Sequence, residues 1–347
     1  MRIKAVPEGL VERLVSAIGL LPAPLVMGSW GMGASRCIIA GTRLGVFECL
    51  ASGKKSAAEV ASEINCDPAG TETLLNALNG LGYVRRLKGL YWNARPASKW
   101  LLKSSRHSLR DAVLFFEDLW DVISRMDELV RTGKHADLHH GNQPPEFWER
   151  YMRGLATFAR YTGREIAWKV KPGRIPLRLL DVAGGHGVYS MAFCRKYPGL
   201  QAEVLELPEA ATWGRKIVAE AGMQDRVVFR EGDLRASDWG TGYDLVLLFN
   251  IIHNLTIDEC REAFAKAQKA LSRGGKLVIL DSEHSKGEKD LSMAGGFNEL
   301  LFFLTSGTRA YPEAKIKGWM RDAGFKNLRT DRLFTVPMTC LITGAKN

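Results

Sequence analysis

At 347 residues the chain is too long for one ordinary domain and suits two. Apolar residues make up 46% and charged residues 25%, the balance of a globular protein with ample material for a core. The net charge of +10 excludes an acidic tail protein and decides little else. No apolar run approaches the roughly 18–20 residues of a membrane span, and the richest, Leu245 to Ile252, is strand-sized. Arg2 and Lys4 open the chain, but Glu12 and Arg13 interrupt the apolar segment that follows, which argues against a cleaved signal. The six cysteines are scattered with no C-x-x-C pair. Buried thiols in a reducing cytoplasm are therefore expected, with neither disulfides nor a metal site.

Between Arg36 and Leu102 the patterns are short. Ser56 heads a helix over Ala57–Ile64, and Asp67-Pro68 starts another that Gly82 ends. Tyr83–Leu87 and Leu90–Trp92 read as a hairpin around Lys88-Gly89. Helices followed by a hairpin give the order of a winged-helix unit. Residues 106–170 read as helical, broken between Gly133 and Pro145. The expected division is 1–105, a linking helical segment 106–170 that contributes to a substrate pocket, and 171–347.

After Pro176 strands and helices alternate. Strands are expected at Leu177–Val182, Ala202–Leu207, Arg226–Arg230, Asp244–Ile252 and Lys276–Asp281. Helices fall at Tyr189–Tyr197, Glu209–Ala221 and Ile257–Leu271, and a last strand pair at Phe325–Phe334 and Met338–Ala345. Continuous apolar runs such as Leu245–Phe249 suit a parallel sheet buried on both faces. The fold class is thus α/β, a doubly wound Rossmann-like sheet whose ligands bind at the carboxyl ends of the strands.

Leu180-Asp181-Val182-Ala183-Gly184-Gly185-His186-Gly187 joins the first of these strands to its helix. From Gly185 the loop nearly matches G-x-G-x-x-G, with Ser190 in the third glycine's place, and an ordinary tight turn could carry the same glycines. Asp181 discriminates. A carboxylate beside the loop disfavours a pyrophosphate but suits the ammonium and sulfonium of S-adenosylmethionine (SAM). Glu206 ends the second strand, 25 residues after Asp181, where it can accept both ribose hydroxyls of an adenosine. Asp233, in Glu231-Gly232-Asp233-Leu234, is placed for the adenine amino group, although a turn former beside glycine is the plainer reading.

With these motifs, residues 177–345 resemble a class I SAM-dependent methyltransferase. Together with the N-terminal part, nearly the whole chain resembles the two-domain small-molecule O-methyltransferases, the plant caffeate and bacterial hydroxyneurosporene and polyketide enzymes. The resemblance implies a winged-helix-like N-terminal domain that forms a homodimer and roofs the partner's pocket. It implies SAM held by Asp181, Ala183, Gly184, Gly185, Gly187, Glu206, Leu207, Asp233, Leu234 and Asn250. His253, in Phe249-Asn250-Ile251-Ile252-His253-Asn254, matches the histidine that deprotonates the acceptor hydroxyl, and an unperturbed imidazole pKa near ~6.5 suits that task. Asp281 stands where the family carries the acid that pairs with it. Phe147–Met152 resembles the stretch whose methionine packs near the methyl donor, and Phe297–Phe303 the pocket helix. These place Trp148, Met152, Asn298 and Phe302 against a flat, apolar acceptor.

The departures are specific. Ala310 replaces the family's second acidic partner, Asn254 the aspartate after the histidine, and Phe249 a lysine near the adenine. Glu206 stands for aspartate, and His186 for a small loop residue; it is read as lining, with a proton shuttle as the lesser alternative. These changes weaken phenol-type base catalysis and leave N- or C-methylation open. Two rival readings are a SAM-sensing DNA-binding regulator and a non-catalytic scaffold. The stretch Gly82–Arg110 holds eight basic residues and no acid, yet the helix expected to read bases contains Glu72 and no Lys or Arg. Neither nucleic acid nor membrane is therefore an expected partner.

Overall fold

A computed structural model describes residues 6–7, 9–20, 23–139, 143–282, 292–336 and 339–347. The chain divides into two compact units, residues 2–117 and 118–347.

In the first unit, α1 (Leu10–Ala17) buries none of its residues, and a π-helical stretch, Val26–Gly31, runs into α2 (Met32–Arg43). A short strand β1 (Lys55–Ser56) leads to α3 (Ala57–Glu63). Ser56 caps α3 by accepting from Glu59 N, while Glu59 accepts from Ser56 N. Asp67 caps α4 (Pro68–Gly80), whose Pro68 sits in the first turn where its missing N–H costs nothing. The hairpin β2 (Val84–Leu87) and β3 (Leu90–Asn93) turns through Lys88 and Gly89, both at positive φ, and β1 adds on the far side of β3. α5 (Arg95–Trp100) and most of α6 (Arg110–Ser124) complete this unit. Its core gathers Val46, Phe47, Leu75, Leu78, Val84 and Tyr91.

The second unit begins within α6 and continues with α7 (Met126–Thr132) and the long α8 (Pro145–Lys169). Strands β4 (Arg178–Val182), β5 (Gln201–Glu206), β6 (Val227–Glu231), β7 (Tyr243–Phe249) and β8 (Leu271–Ser282) are parallel. Helices α9 (Val188–Lys196), α10 (Pro208–Glu220) and α11 (Ile257–Ala270) connect them. After α12 (Met293–Ser306) and α13 (Glu313–Asp322), β9 (Lys326–Arg332) and β10 (Thr339–Ala345) close the sheet as an antiparallel pair. The order β6-β5-β4-β7-β8-β10-β9 reverses direction between β4 and β7, the crevice where such sheets bind ligands.

Several ends differ from the sequence reading. β7 stops at Phe249, because Asn250 takes a left-handed backbone at φ +53° and leaves the sheet. β8 starts at Leu271, its first residue pairing with Tyr243 across a register shift. The expected start of the last strand, Met338, lies outside the described residues.

Asp244 ties the lower edge of the sheet together. Its carboxylate accepts from Leu177 N at 2.8 Å, Arg178 N at 3.1 Å and the Arg174 guanidinium, and so fixes where β4 starts beside β7. Asp244→Ala would leave two backbone donors without a partner, and should destabilise the chain by about 2–4 kcal/mol in urea unfolding.

Candidate active site

The loop after β4 is shaped by contact. Ala183 adopts φ +53° and its N–H donates to Leu205 O at 2.8 Å. A Cβ on Gly184 would lie 2.5 Å from the Asp181 carboxyl carbon, so no larger residue fits above that acid. On α10, a Cβ on Gly214 would come within 2.4 Å of Gly185 O, which makes glycine the condition for this helix to pass the loop. A Cβ on Gly185 would look onto Met152 Sδ at 3.5 Å and Glu206 Oε2 at 3.9 Å, so the space above it is a cradle bounded by both.

Asp181 is buried. Its Oδ2 accepts from Ser190 Oγ at 2.7 Å, while Oδ1 has no hydrogen-bond partner among the described residues. The serine in the third glycine's place is thus the group that holds Asp181. Burial raises the Asp181 pKa to about 7 against the Ser190 hydrogen bond, and nearby Glu206 adds to the rise. Burial likewise raises Glu206 to about 7, opposed by the Leu207 and Gly185 amides that donate to it at 2.8 and 2.7 Å. Leu207 caps α10. Asp233 serves its own turn, accepting from Arg235 N at 2.7 Å and facing the Arg235 guanidinium at 3.7 Å. Leu234 packs against the sheet core, and its carbonyl accepts from Trp239 Nε1.

His186 is neutral. Its Nδ1 accepts from Val188 N at 3.0 Å, and burial, aided by the Arg160 charge, drives its pKa down to about 3. A proton shuttle is closed to this ring at ordinary pH.

Beyond β7, His253 occupies a single 3₁₀ turn, Ile252–Asn254, rather than the strand end. Its Nδ1 lies 2.6 Å from Asp281 Oδ1, and its N–H donates to Asp281 Oδ2 at 3.2 Å. Ser282 N also donates to Asp281 Oδ1, at 2.7 Å. An ionised Asp281 fixes the ring proton on Nδ1 and leaves the lone pair on Nε2, which makes no hydrogen bond among the described residues. Phe302 lies flat on the ring, centroids 3.7 Å apart and planes 13° from parallel. Ala310 is buried and brings no polar group. Thr308 Oγ1 donates to His253 O, and Ser306 Oγ to Asn254 Oδ1 at 2.6 Å.

Two clusters therefore form along one sheet edge: Asp181, the glycine loop, Glu206 and Met152, and then His253, Asp281 and Phe302. Trp148 is buried edge-on against Phe147 and Tyr151, and Asn298 is half-buried one turn before Phe302. The family resemblance would start this pocket segment at Asp290, which lies outside the described residues. Sequence reasoning missed the hydrogen bond from Ser190 to Asp181, the charge of Arg160 near His186 and the stacking of Phe302.

Residues 132–326 match the O-methyltransferase domain. The chain belongs to the O-methyltransferase family. Residues 30–104 match the O-methyltransferase dimerisation domain. The chain is 28% identical to the 3-hydroxy-5-methyl-1-naphthoate 3-O-methyltransferase of Streptomyces sahachiroi over 91% of its own length and 93% of the relative's. It is 29% identical to the acetylserotonin O-methyltransferase of Bos taurus over 87% and 92%. Human N-acetylserotonin methyltransferase in complex with SAM superposes with a TM-score of 0.83 at 18% identity, over 99% of this chain and all of that one. The family is SAM-dependent, and this member is a SAM-dependent methyltransferase. The donor fits the first cluster: the orphaned Asp181 oxygen and the raised acids call for cationic or hydroxyl partners, and the cradle over Gly185 admits a close ligand.

The raised acids have a measurable consequence. Unfolded carboxyls titrate near ~4, so the free native state holds extra protons between about pH 4 and 7 and loses stability as pH rises through that window. A cationic ligand favours the ionised acids, so SAM binding near pH ~6.5 should release protons. Calorimetry in buffers of different ionisation enthalpy should show this, and Asp181→Asn should reduce it.

Proposed function

We propose that this enzyme moves the methyl group of SAM to a hydroxyl of a small, flat, largely apolar acceptor, aromatic or polyketide-like. The observation that carries this reading is the His253–Asp281 pair, with one ring nitrogen anchored at 2.6 Å and the other open. The acceptors named for its relatives, a hydroxynaphthoate and acetylserotonin, support an aromatic hydroxyl.

SAM supplies the methyl group and a thioether leaving group. Asp181 meets the cationic side of the donor, Glu206 the ribose hydroxyls, and Asp233 with Leu234 the adenine; Ala183, Gly184, Gly185, Gly187, Leu207 and Asn250 shape the surface between them. Arg160, whose charge already depresses His186, is the cation for the donor's carboxylate. Trp148, Met152 and Asn298 form the acceptor wall, drawn from the segment 106–170 and from α12. His253 takes the hydroxyl proton on Nε2 while Asp281 holds the tautomer, leaving the oxygen's electron pair to attack the methyl carbon in line. The working form is a homodimer in the reducing cytoplasm, in keeping with its free cysteines.

His253→Ala should lower kcat by about 10²–10⁴ and leave SAM affinity nearly unchanged, with Asp281→Asn less damaging. An amine acceptor that reacts in its neutral form needs no base, and the His253 effect would then shrink to a few fold. Unchanged kcat in both variants on one identified acceptor would retire the dyad.

The dimer rests on surface. Leu10, Val11, Leu14, Ile18 and Leu25 are each more than half exposed, Trp30 is 71% exposed, and the adjoining residues match the dimerisation domain. Light scattering at low micromolar concentration should give twice the chain mass, and Leu14→Asp with Trp30→Asp should shift it toward monomer. A monomeric wild type would overturn the homodimer.

A further inference from the structure

We propose that Phe302 is a positioning residue for His253, fixing the plane of the imidazole by stacking and favouring its protonated form; this rests on the reading of His253 as the base. The hydrogen bonds around His253 fix its main chain and one ring edge. Asp281 anchors Nδ1, and Thr308 the carbonyl. One hydrogen bond at one nitrogen leaves the ring free to rock about that bond, and rocking swings Nε2, the reacting atom. Phe302, 3.7 Å away and nearly parallel, closes one side of that motion.

The stacking ring stands on a firm mount. Leu304 O and Thr305 O at the end of α12 accept from Ala136 N at 2.8 Å and Leu138 N at 3.3 Å. Gly307 then ends the helix at φ +70°, with the His135 ring filling the space a Cβ would take. When the acceptor O–H bond breaks, its proton forms the N–H bond at Nε2 and the ring becomes a cation between a carboxylate and an aromatic face. Both stabilise it. Of the titratable groups packed nearby, Cys260 faces Asp281 and Tyr311 faces Cys260. Burial holds the thiol and the phenol neutral, with Cys260 raised to about 12.

The test is Phe302→Leu, which keeps an apolar side chain and removes the aromatic face, beside Phe302→Tyr, which restores it. SAM affinity checks that each variant is folded. Steady-state kinetics on one acceptor across pH would be paired with an NMR titration of the His253 ring without acceptor. Phe302→Leu should lower kcat about tenfold, because the base is misplaced rather than lost, and should change the acceptor KM less than about twofold. The His253 midpoint should fall by about half a pH unit, and Phe302→Tyr should restore both values. A raised KM with kcat and midpoint unchanged would make Phe302 an acceptor wall and overturn the proposal, as would no change at all. The ring titration is independent of catalysis, so full activity in His253→Ala would remove the base reading while the midpoint shift still reported the stacking.

Discussion

Three carboxylates, Asp181, Glu206 and Asp281, lie at the ends of parallel strands of one sheet, and all three are buried. A buried acid must find donors, a cation or a proton, and each of the three meets that demand differently. Asp281 receives two backbone N–H groups and the His253 ring, which leaves it little to offer a ligand. Glu206 receives two amides and keeps lone pairs for further donors. Asp181 receives one hydroxyl and leaves an oxygen unmet. The order of satisfaction runs Asp281, Glu206, Asp181, and the two less satisfied acids keep the hydrogen-bonding capacity that a ligand would need.

The backbone is arranged to keep these acids at one edge. Val182 lies opposite Leu248 and Phe249 opposite Leu280, so β4, β7 and β8 run out at one level. Ala183 and Asn250, directly after β4 and β7, both take left-handed conformations that cost a non-glycine residue energy. Their amides still donate to the neighbouring strands, at Leu205 O and Leu280 O. The turn away from the sheet is therefore made without losing its last hydrogen bonds, and it opens room beyond the strand ends.

Much of this was legible because it is local. The runs of Leu and Val in β7, the spacing of strands and helices, and an acid after each strand need no knowledge of what packs where. What escaped notice depends on contacts between distant segments. Ser190 looks like a failed glycine until its hydroxyl is seen on Asp181, nine residues back in sequence. Phe302 sits 49 positions after His253, and an aromatic at helical spacing reads as core or pocket wall with equal ease. His253 reads as a strand residue because Ile251 and Ile252 continue the apolar run; only the left-handed Asn250 shows that the strand has stopped. Arg160 is one of 48 basic residues, and nothing near it in sequence points to the loop it faces.

Among the described residues, the two buried histidines show how context gives one side chain opposite surroundings. His186 must accept a hydrogen bond from the first turn of α9, next to Asp181 and Glu206. A carboxylate cap there would add a third acid to a neighbourhood that already pushes two pKa values to about 7. A neutral imidazole meets the amide without adding charge, and Arg160 together with burial keeps it neutral. His253 has the reverse surroundings. A carboxylate grips one nitrogen, an aromatic face covers the ring, and no donor reaches the other nitrogen among the described residues. A proton arriving at His186 would lose a hydrogen bond and meet a guanidinium; one arriving at His253 would meet an anion and a π face. What stands beside each ring thus makes one of them a far better place for a proton than the other.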